Sequence, residues 1–319
     1  KEAKDPLGWL IKEAFLPEYF RGIADRLKQP EVENQRSETG KIVGGGTDLF
    51  VQQADALAVA DLYFLKEDTT KADTGTIDTI EVDADNGICR IGGAVTASDI
   101  MYHPVLQRCF PKLKEYFKLI SSEPVRNMGT VAGNIVNASP IADLVIFFLA
   151  LDSEVYLKAI NGITRTVSLR KFYTGYKQLI MKPGETILHI RFRLPQQASF
   201  NFEKVSKRRY LDIASVNSAI LLQLDGDTIQ EVHLSAGGVF AWPFYAEKTV
   251  DFLKGKMLTP ELIKDATEVL ISEVAPISDI RGSKEYKSLL LRRLFFVHFA
   301  EMFPQQFSPD VLFSKIMAS

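Results

Sequence analysis

A chain of 319 residues has room for two domains of ordinary size. With 46% apolar residues, 24% charged residues and a formal net charge of −2, it has the composition of a soluble globular protein and no basic field for nucleic acid or an anionic membrane. No apolar run reaches the roughly 20 residues of a membrane-spanning helix; the longest, "DLVIFFLALDSEVYL", is broken by Asp152 and Glu154 and reads as buried core.

The N-terminal "KEAKDPLGWL" holds no apolar core followed by a small-residue cleavage site, so no secretory leader is expected. The first residue is Lys1 rather than Met, which fits a piece of a longer chain. Asp5-Pro6 reads as a helix start, with Leu7, Leu10, Ile11 and Ala14 at helical spacing. Pro17 interrupts that run, and "PEYFRGIADRLK" offers a second short helix. Residues 29–40 are polar and read as a loop, so residues 1–40 form an expected helical linker segment.

From Lys41 the texture changes to short strands and turns. "KIVGGGTDLF" runs two apolar residues into three glycines. Those glycines permit backbone geometry closed to a residue with a Cβ, so successive N–H groups can converge on an anion. Alone, the stretch reads equally as a tight turn: no Gly-Lys-Ser/Thr follows, and no convincing nucleotide-binding βαβ unit either. "TIEVDADNGICRIGGAV" and "EVYLKAINGITRTVSL" are hairpin patterns around Asn86-Gly87 and Asn161-Gly162. Between them, "SSEPVRNMGTVAGNIVNASPIADL" packs small and polar residues into 24 positions. It reads either as a glycine-rich strand connection or as a wall that a flat ligand can approach.

Residues 187–194 alternate Leu188, Ile190, Phe192 and Leu194 against His189, Arg191 and Arg193, the period of a strand with one buried face. Lys204, Lys207, Arg208 and Arg209 make a basic cluster, either a solvated turn or a wall of positive charge. Asp225-Gly226-Asp227 turns the chain again, and two helices close it, the first capped at Thr259-Pro260. Cys89 and Cys109 form no C-x-x-C, zinc or iron–sulfur pattern; they read as core residues of a cytoplasmic protein that binds no metal itself. His103, His189, His233 and His298 stand unclustered and need no catalytic role.

These segments together resemble the FAD-binding part of xanthine dehydrogenase and its molybdenum hydroxylase relatives. "VGGGTDL" is similar to the family's first FAD loop and "VRNMGTVAGNIVNASPIADL" to its R-N-x-G-T-x-G-G-N-I-x-x-x-S-P-x-x-D pattern. "GYKQLIMKPGETIL", "KVSKR" and "PISDIRGSKEY" follow in the family's order. The resemblance implies an α+β fold: a p-cresol methylhydroxylase-type FAD-binding domain of two subdomains over residues 41–185, then a C-terminal sheet-plus-helices domain over 186–319, as in carbon monoxide dehydrogenase flavoproteins.

It also implies roles. Ile42, Val43, Gly44, Gly45, Gly46, Thr47, Asp48 and Leu49 would cradle the FAD pyrophosphate through backbone N–H groups. Thr130, Val131, Ala132, Gly133 and Asn134 would form a second wall, and Asp143 would hydrogen-bond the cofactor. Ile120, Leu188 and Lys204 would be further FAD contacts. No catalytic acid or base is implied, because the flavin carries the redox chemistry.

Two residues depart from the family pattern: Ala132 replaces the first glycine of Gly-Gly-Asn, and Leu211 stands where animal relatives carry an acidic residue. The family's molybdopterin would reside on a large subunit, and its [2Fe–2S] domain either in cis, outside these residues, or on another subunit. In the implied reaction a xanthine- or hypoxanthine-like purine is oxidised at molybdenum, and electrons reach FAD and then NAD. The alternatives are the flavin subunit of an aldehyde, carbon monoxide or nicotinate hydroxylase, or a non-catalytic nucleotide-binding or scaffold protein.

Overall fold

The computed structural model describes residues 5–23, 25, 40–65, 77–83 and 85–307, in two units, Lys1–Ser37 and Glu38–Ser319. In the first unit, Asp5 Oδ1 accepts the Gly8 N–H at 2.9 Å and caps helix α1 (Pro6–Lys12). Of the second short helix expected, Glu18–Phe20 form a 3-10 turn. Residues 26–28 and the expected loop over 29–39 lie outside the described residues.

The second unit opens with a parallel pair, β1 (Lys41–Val43) and β2 (Leu62–Phe64). The glycine loop and two single-turn helices, α2 (Leu49–Gln52) and α3 (Ala54–Leu57), join them. A five-stranded antiparallel sheet follows. Its order is β3 (Ile80–Asp83), β4 (Ile88–Gly92), β9 (Thr186–Arg193), β5 (Glu154–Lys158) and β6 (Thr164–Ser168). Both expected hairpins are present, with Gly87 at φ +63° and Gly162 at φ +85° in their turns.

The domain boundary expected between Glu185 and Thr186 is displaced by this pairing. Strand β9 sits at the sheet centre, bonded to β4 on one side and β5 on the other, so the first sheet runs on to Arg193. The expected alternation along β9 is also interrupted. Tyr156 faces His189 while Leu157 faces Ile187, which leaves Leu188 as the extra residue of a bulge. Ile187 therefore takes the buried place on that side, with Ile190 and Phe192 beyond it, and Leu188 is half-buried.

Segment 97–149 folds as six short helices: α4 (Ala97–Tyr102), α5 (Pro104–Cys109), α6 (Leu113–Lys118), α7 (Glu123–Met128), α8 (Val131–Asn137) and α9 (Asp143–Leu149). Ser122 and Thr130 cap α7 and α8, each accepting an N–H three residues on. So segment 121–144, within the connection from β4 to β5, is mostly helical, in α7, α8 and the start of α9. Helix α9 is apolar all round after Asp143, with Leu144 to Leu149 all buried, as its uninterrupted pattern requires. It stands in the core beside Phe110 and Phe200, whose rings lie 5.3 and 4.7 Å from that of Phe147.

Beyond Pro195 an antiparallel sheet of β10 (Ala198–Val205), β11 (Val216–Asp225), β12 (Thr228–Gly237) and β13 (Phe244–Tyr245) packs on α10 (Glu247–Leu253), α11 (Pro260–Glu273) and α12 (Lys284–Met302). Thr259 Oγ1 accepts the Leu262 N–H at 3.1 Å, the cap read from sequence. A buried polar chain ties the two cores. Tyr116 O–H donates to Asn201 Oδ1 at 3.1 Å, the Asn201 amide donates to His298 Nδ1 at 3.0 Å, and His298 Nε2 meets Ser218 Oγ at 3.0 Å. Among the described residues no helix is long and apolar enough to cross a membrane.

Candidate cofactor site

The two glycine-containing segments meet. A cavity of about 1060 Å³ lies between the loop after β1 and helices α7 to α9, at the upper end of the range for cofactor-sized ligands. Ile42, Gly44, Gly45, Gly46, Thr47, Asp48 and Leu49 line one side. Ile120, Thr130, Ala132, Gly133, Asn134 and Asp143 line the other.

The glycine loop is shaped by its own chain. A Cβ on Gly45 would lie 1.7 Å from the Met128 carbonyl oxygen, so this position touches the end of α7 backbone to backbone. Gly46 turns at φ +69°, a conformation a side chain resists. Among the described residues, the N–H groups of Gly45, Gly46 and Thr47 donate to no backbone or side-chain acceptor. Unspent backbone donors bordering a cavity are what an anion-binding loop requires.

The second wall works differently. The Val131 N–H donates to Val95 O at 2.9 Å and the Ala132 N–H to Gly93 O at 2.9 Å. The Gly133 N–H donates to Thr130 Oγ1 at 3.1 Å and the Asn134 N–H to Thr130 O at 2.9 Å. With those donors committed, the wall offers the bare face of Gly133, the small side chain of Ala132 and the Asn134 amide, whose Oδ1 is buried without a donor. Val43 and Val131 are buried in the supporting structure, and neither lines the cavity.

Asp143 and Lys204 are an ion pair at 2.7 Å, with the ammonium side chain only 2% exposed. Asp143 lines the cavity and Lys204 stands behind it, donating also to Leu119 O at 2.8 Å. Asn217 donates to the other Asp143 oxygen at 2.5 Å. Burial pushes the Asp143 carboxyl above its ordinary value, while Lys204 and Asn217 pull it down. Leu188 is not in the cavity wall; its carbonyl accepts the Gly93 N–H at 2.7 Å.

Sequence reasoning missed several lining residues. Arg126 donates to Ile120 O at 2.8 Å and Ser121 O at 3.0 Å, and its Nε is buried without an acceptor. Glu185 lines the far end, gripped by Arg165 through bonds of 2.7 and 2.8 Å that hold its carboxyl below the ordinary value. Arg208 of the basic cluster and Leu211, both singled out in the sequence, also line the cavity, from the turn after β10, where Leu211 adopts φ +59°. Arg126, Lys177 and Glu185 lie inside quoted family motifs, which was the available signal; Arg165 lies in the Asn161-Gly162 hairpin, whose pattern marks a turn and not a site.

FAD fits what is present: an unspent row of donors for a pyrophosphate, orphaned polar atoms on Asn134 and Arg126, and an Arg126 guanidinium held by carbonyls. Among the described residues no group of His, Cys, Asp or Glu is arranged to hold a metal ion.

Residues 30–196 match the family described as FAD binding domain in molybdopterin dehydrogenase, and residues 202–302 match CO dehydrogenase flavoprotein C-terminal domain. The chain is 30% identical over 217 residues to the glyceraldehyde dehydrogenase medium chain of Sulfolobus acidocaldarius, covering 68% of this chain and 76% of that one. It is 26% identical over 263 residues to a putative xanthine dehydrogenase FAD-binding subunit of Escherichia coli K12, covering 80% and 85%. Among solved structures, a chain of Cu,Mo-CO dehydrogenase in its cyanide-inactivated form superposes with a TM-score of 0.72 at 25% identity, covering 81% and 87%. The chain therefore belongs to the FAD-binding flavoproteins of the molybdenum hydroxylase family, the fold and class that the ordered motifs implied.

Proposed function

We propose that the chain is the FAD-binding electron-transfer component of a molybdenum hydroxylase acting in the cytoplasm on xanthine- or hypoxanthine-like purines. Its partners would be a molybdopterin-binding large subunit and a [2Fe–2S] domain or subunit. One observation carries the cofactor assignment: the cavity is bordered at once by the free N–H groups of Gly45 to Thr47 and by the Gly133–Asn134 wall. The pyrophosphate would lie on Gly44 to Thr47, Asn134 would hydrogen-bond the cofactor, and Asp143, set by Lys204 and Asn217, would present a fixed carboxyl oxygen. Ile42, Leu49, Ile120 and Ala132 would supply apolar contact, while Val43, Val131 and Leu188 support the wall from behind. Bound there, FAD supplies the two-electron chemistry that delivers electrons from the iron–sulfur partner to NAD.

The purine assignment draws on the ordered motifs and on the likeness to the Escherichia coli subunit named for xanthine dehydrogenase. Aldehyde oxidation is the second reading, favoured by the likeness to the Sulfolobus acidocaldarius medium chain. Co-purification of the chain with its partners, followed by assay on hypoxanthine and on glyceraldehyde, separates the two. Turnover of hypoxanthine with NAD reduction is expected. Turnover of the aldehyde alone overturns the purine reading, and a flavin that dithionite bleaches but NADH does not overturns NAD as acceptor.

A further inference from the structure

The motif "GYKQLIMKPGETIL" has no assigned task in the cradle, yet it reaches it. Strands β7 (Tyr173–Gly175) and β8 (Gln178–Leu179) form a hairpin whose turn is Tyr176-Lys177. Lys177 holds φ +56°, a conformation that glycine adopts freely and lysine does not. Its ammonium donates to Asn137 O at 2.5 Å and to Asn137 Oδ1 at 3.0 Å. The same Asn137 amide donates from Nδ2 to Asp48 Oδ2 at 2.6 Å. Asp48 ends the glycine loop, and all three residues line the cavity. Lysine, asparagine and aspartate thus form one line of hydrogen bonds from the β7–β8 hairpin, across the C-terminal end of α8, to the anion cradle.

We propose that Lys177 is a positioning residue for the cofactor. It orients the Asn137 amide, which holds Asp48 and so fixes the unspent N–H groups of Gly45 to Thr47 in the direction of a pyrophosphate. Its positive charge also offsets Asp48, whose carboxylate would otherwise oppose an anionic ligand. The inference rests on the FAD reading above and adds to it a residue outside both glycine segments. Lys177 is solvent-exposed and outside both hydrophobic cores, so its replacement is expected to leave core packing unchanged.

FAD is titrated into the flavin-free chain and into its Lys177→Met, Lys177→Arg, Asp48→Ala and Lys177→Met/Asp48→Ala forms, and dissociation constants are read from flavin emission. Urea unfolding is followed on the same proteins without FAD. Lys177→Met is expected to weaken binding at least tenfold with the urea midpoint unchanged, and Lys177→Arg to stay within threefold of wild type. The double variant is expected to be no weaker than the weaker single variant, because both break one line. Wild-type affinity in Lys177→Met, losses that multiply in the double variant, or a urea midpoint that falls in step with affinity overturns the positioning role. A wild-type chain that takes up no FAD overturns the cofactor reading and this consequence with it. Uptake by wild type with an indifferent Lys177→Met overturns the positioning role alone.

Discussion

Replacing Gly45 by alanine tests the cradle at its tightest point. The added Cβ would meet the Met128 carbonyl oxygen at 1.7 Å and the Gly129 Cα at 3.0 Å, both backbone atoms that no rotamer change can move aside. An ordinary carbon–oxygen contact is roughly 3.2 Å, so loop and helix must separate by about 1.5 Å. A hydrogen bond of about 2.9 Å stretched that far is lost. If two N–H groups lose a charged phosphate oxygen at about 1.5–3 kcal/mol each, FAD binding falls by about 3–6 kcal/mol, or roughly 10²- to 10⁴-fold. Gly44→Ala is the internal control. Its Cβ would meet Thr130 Oγ1 at 2.4 Å, then nothing nearer than 3.6 Å. Removing that hydroxyl in Gly44→Ala/Thr130→Ala should therefore recover part of the binding lost in the single variant. The assay is FAD titration with circular dichroism as the check on fold. A folded Gly45→Ala chain that binds FAD within about threefold of wild type refutes the reasoning.

Other perturbations have defined outcomes. Asp143→Ala leaves the Lys204 ammonium buried without its carboxylate, and unfolding in urea should show a loss of about 3–5 kcal/mol; a loss below about 1 kcal/mol contradicts the pairing. Arg165 holds the Glu185 carboxyl below its ordinary value, so its stabilisation is complete above the unfolded value and disappears as pH falls through the folded one. Glu185→Gln should cost about 2 kcal/mol at pH 7 without FAD, and the deficit should shrink below about pH 4; a deficit constant with pH counts against the ion pair. Burial lowers the His298 imidazole to about 3. Below about pH 6.5 the unfolded chain gains a proton there that the folded chain does not, so stability is full above that pH and falls toward pH 3. Between pH 8 and pH 5 this amounts to about 2 kcal/mol, which His298→Gln should remove from the pH dependence of unfolding.

The parts of the fold legible in the sequence were those with local chemistry. Asn86-Gly87 and Asn161-Gly162 turn the chain in both hairpins, and Thr259-Pro260 starts α11. The six short helices of segment 97–149 were not legible. Each spans six or seven residues, too few for a 3.6-residue period to stand out, and their stability comes from caps and burial. The placement of β9 was not legible either. Its alternation declares a strand with one buried face but not which sheet it joins, and the bulge at Leu188 is set by its partner β5.

At the site, the glycines and the Gly133-Asn134 pair were visible as residue types that admit a ligand. The sequence did not reveal that Gly45 is small because Met128 lies against it, or that the N–H groups of Val131 and Ala132 are already bound to Val95 and Gly93. Those facts depend on contacts across long sequence separations. They leave Gly45 to Thr47, and not α8, with backbone N–H groups to offer a ligand. Lys177 shows the same division: its motif was visible, but its reach to Asn137 and Asp48 belongs to the folded chain.

The most direct experiment is an anaerobic titration of the flavin-free chain with FAD, followed by NADH. One FAD per chain should bind, with flavin absorption near ~450 nm that NADH bleaches. A folded chain that takes up no FAD at any concentration would contradict the assignment of the cavity.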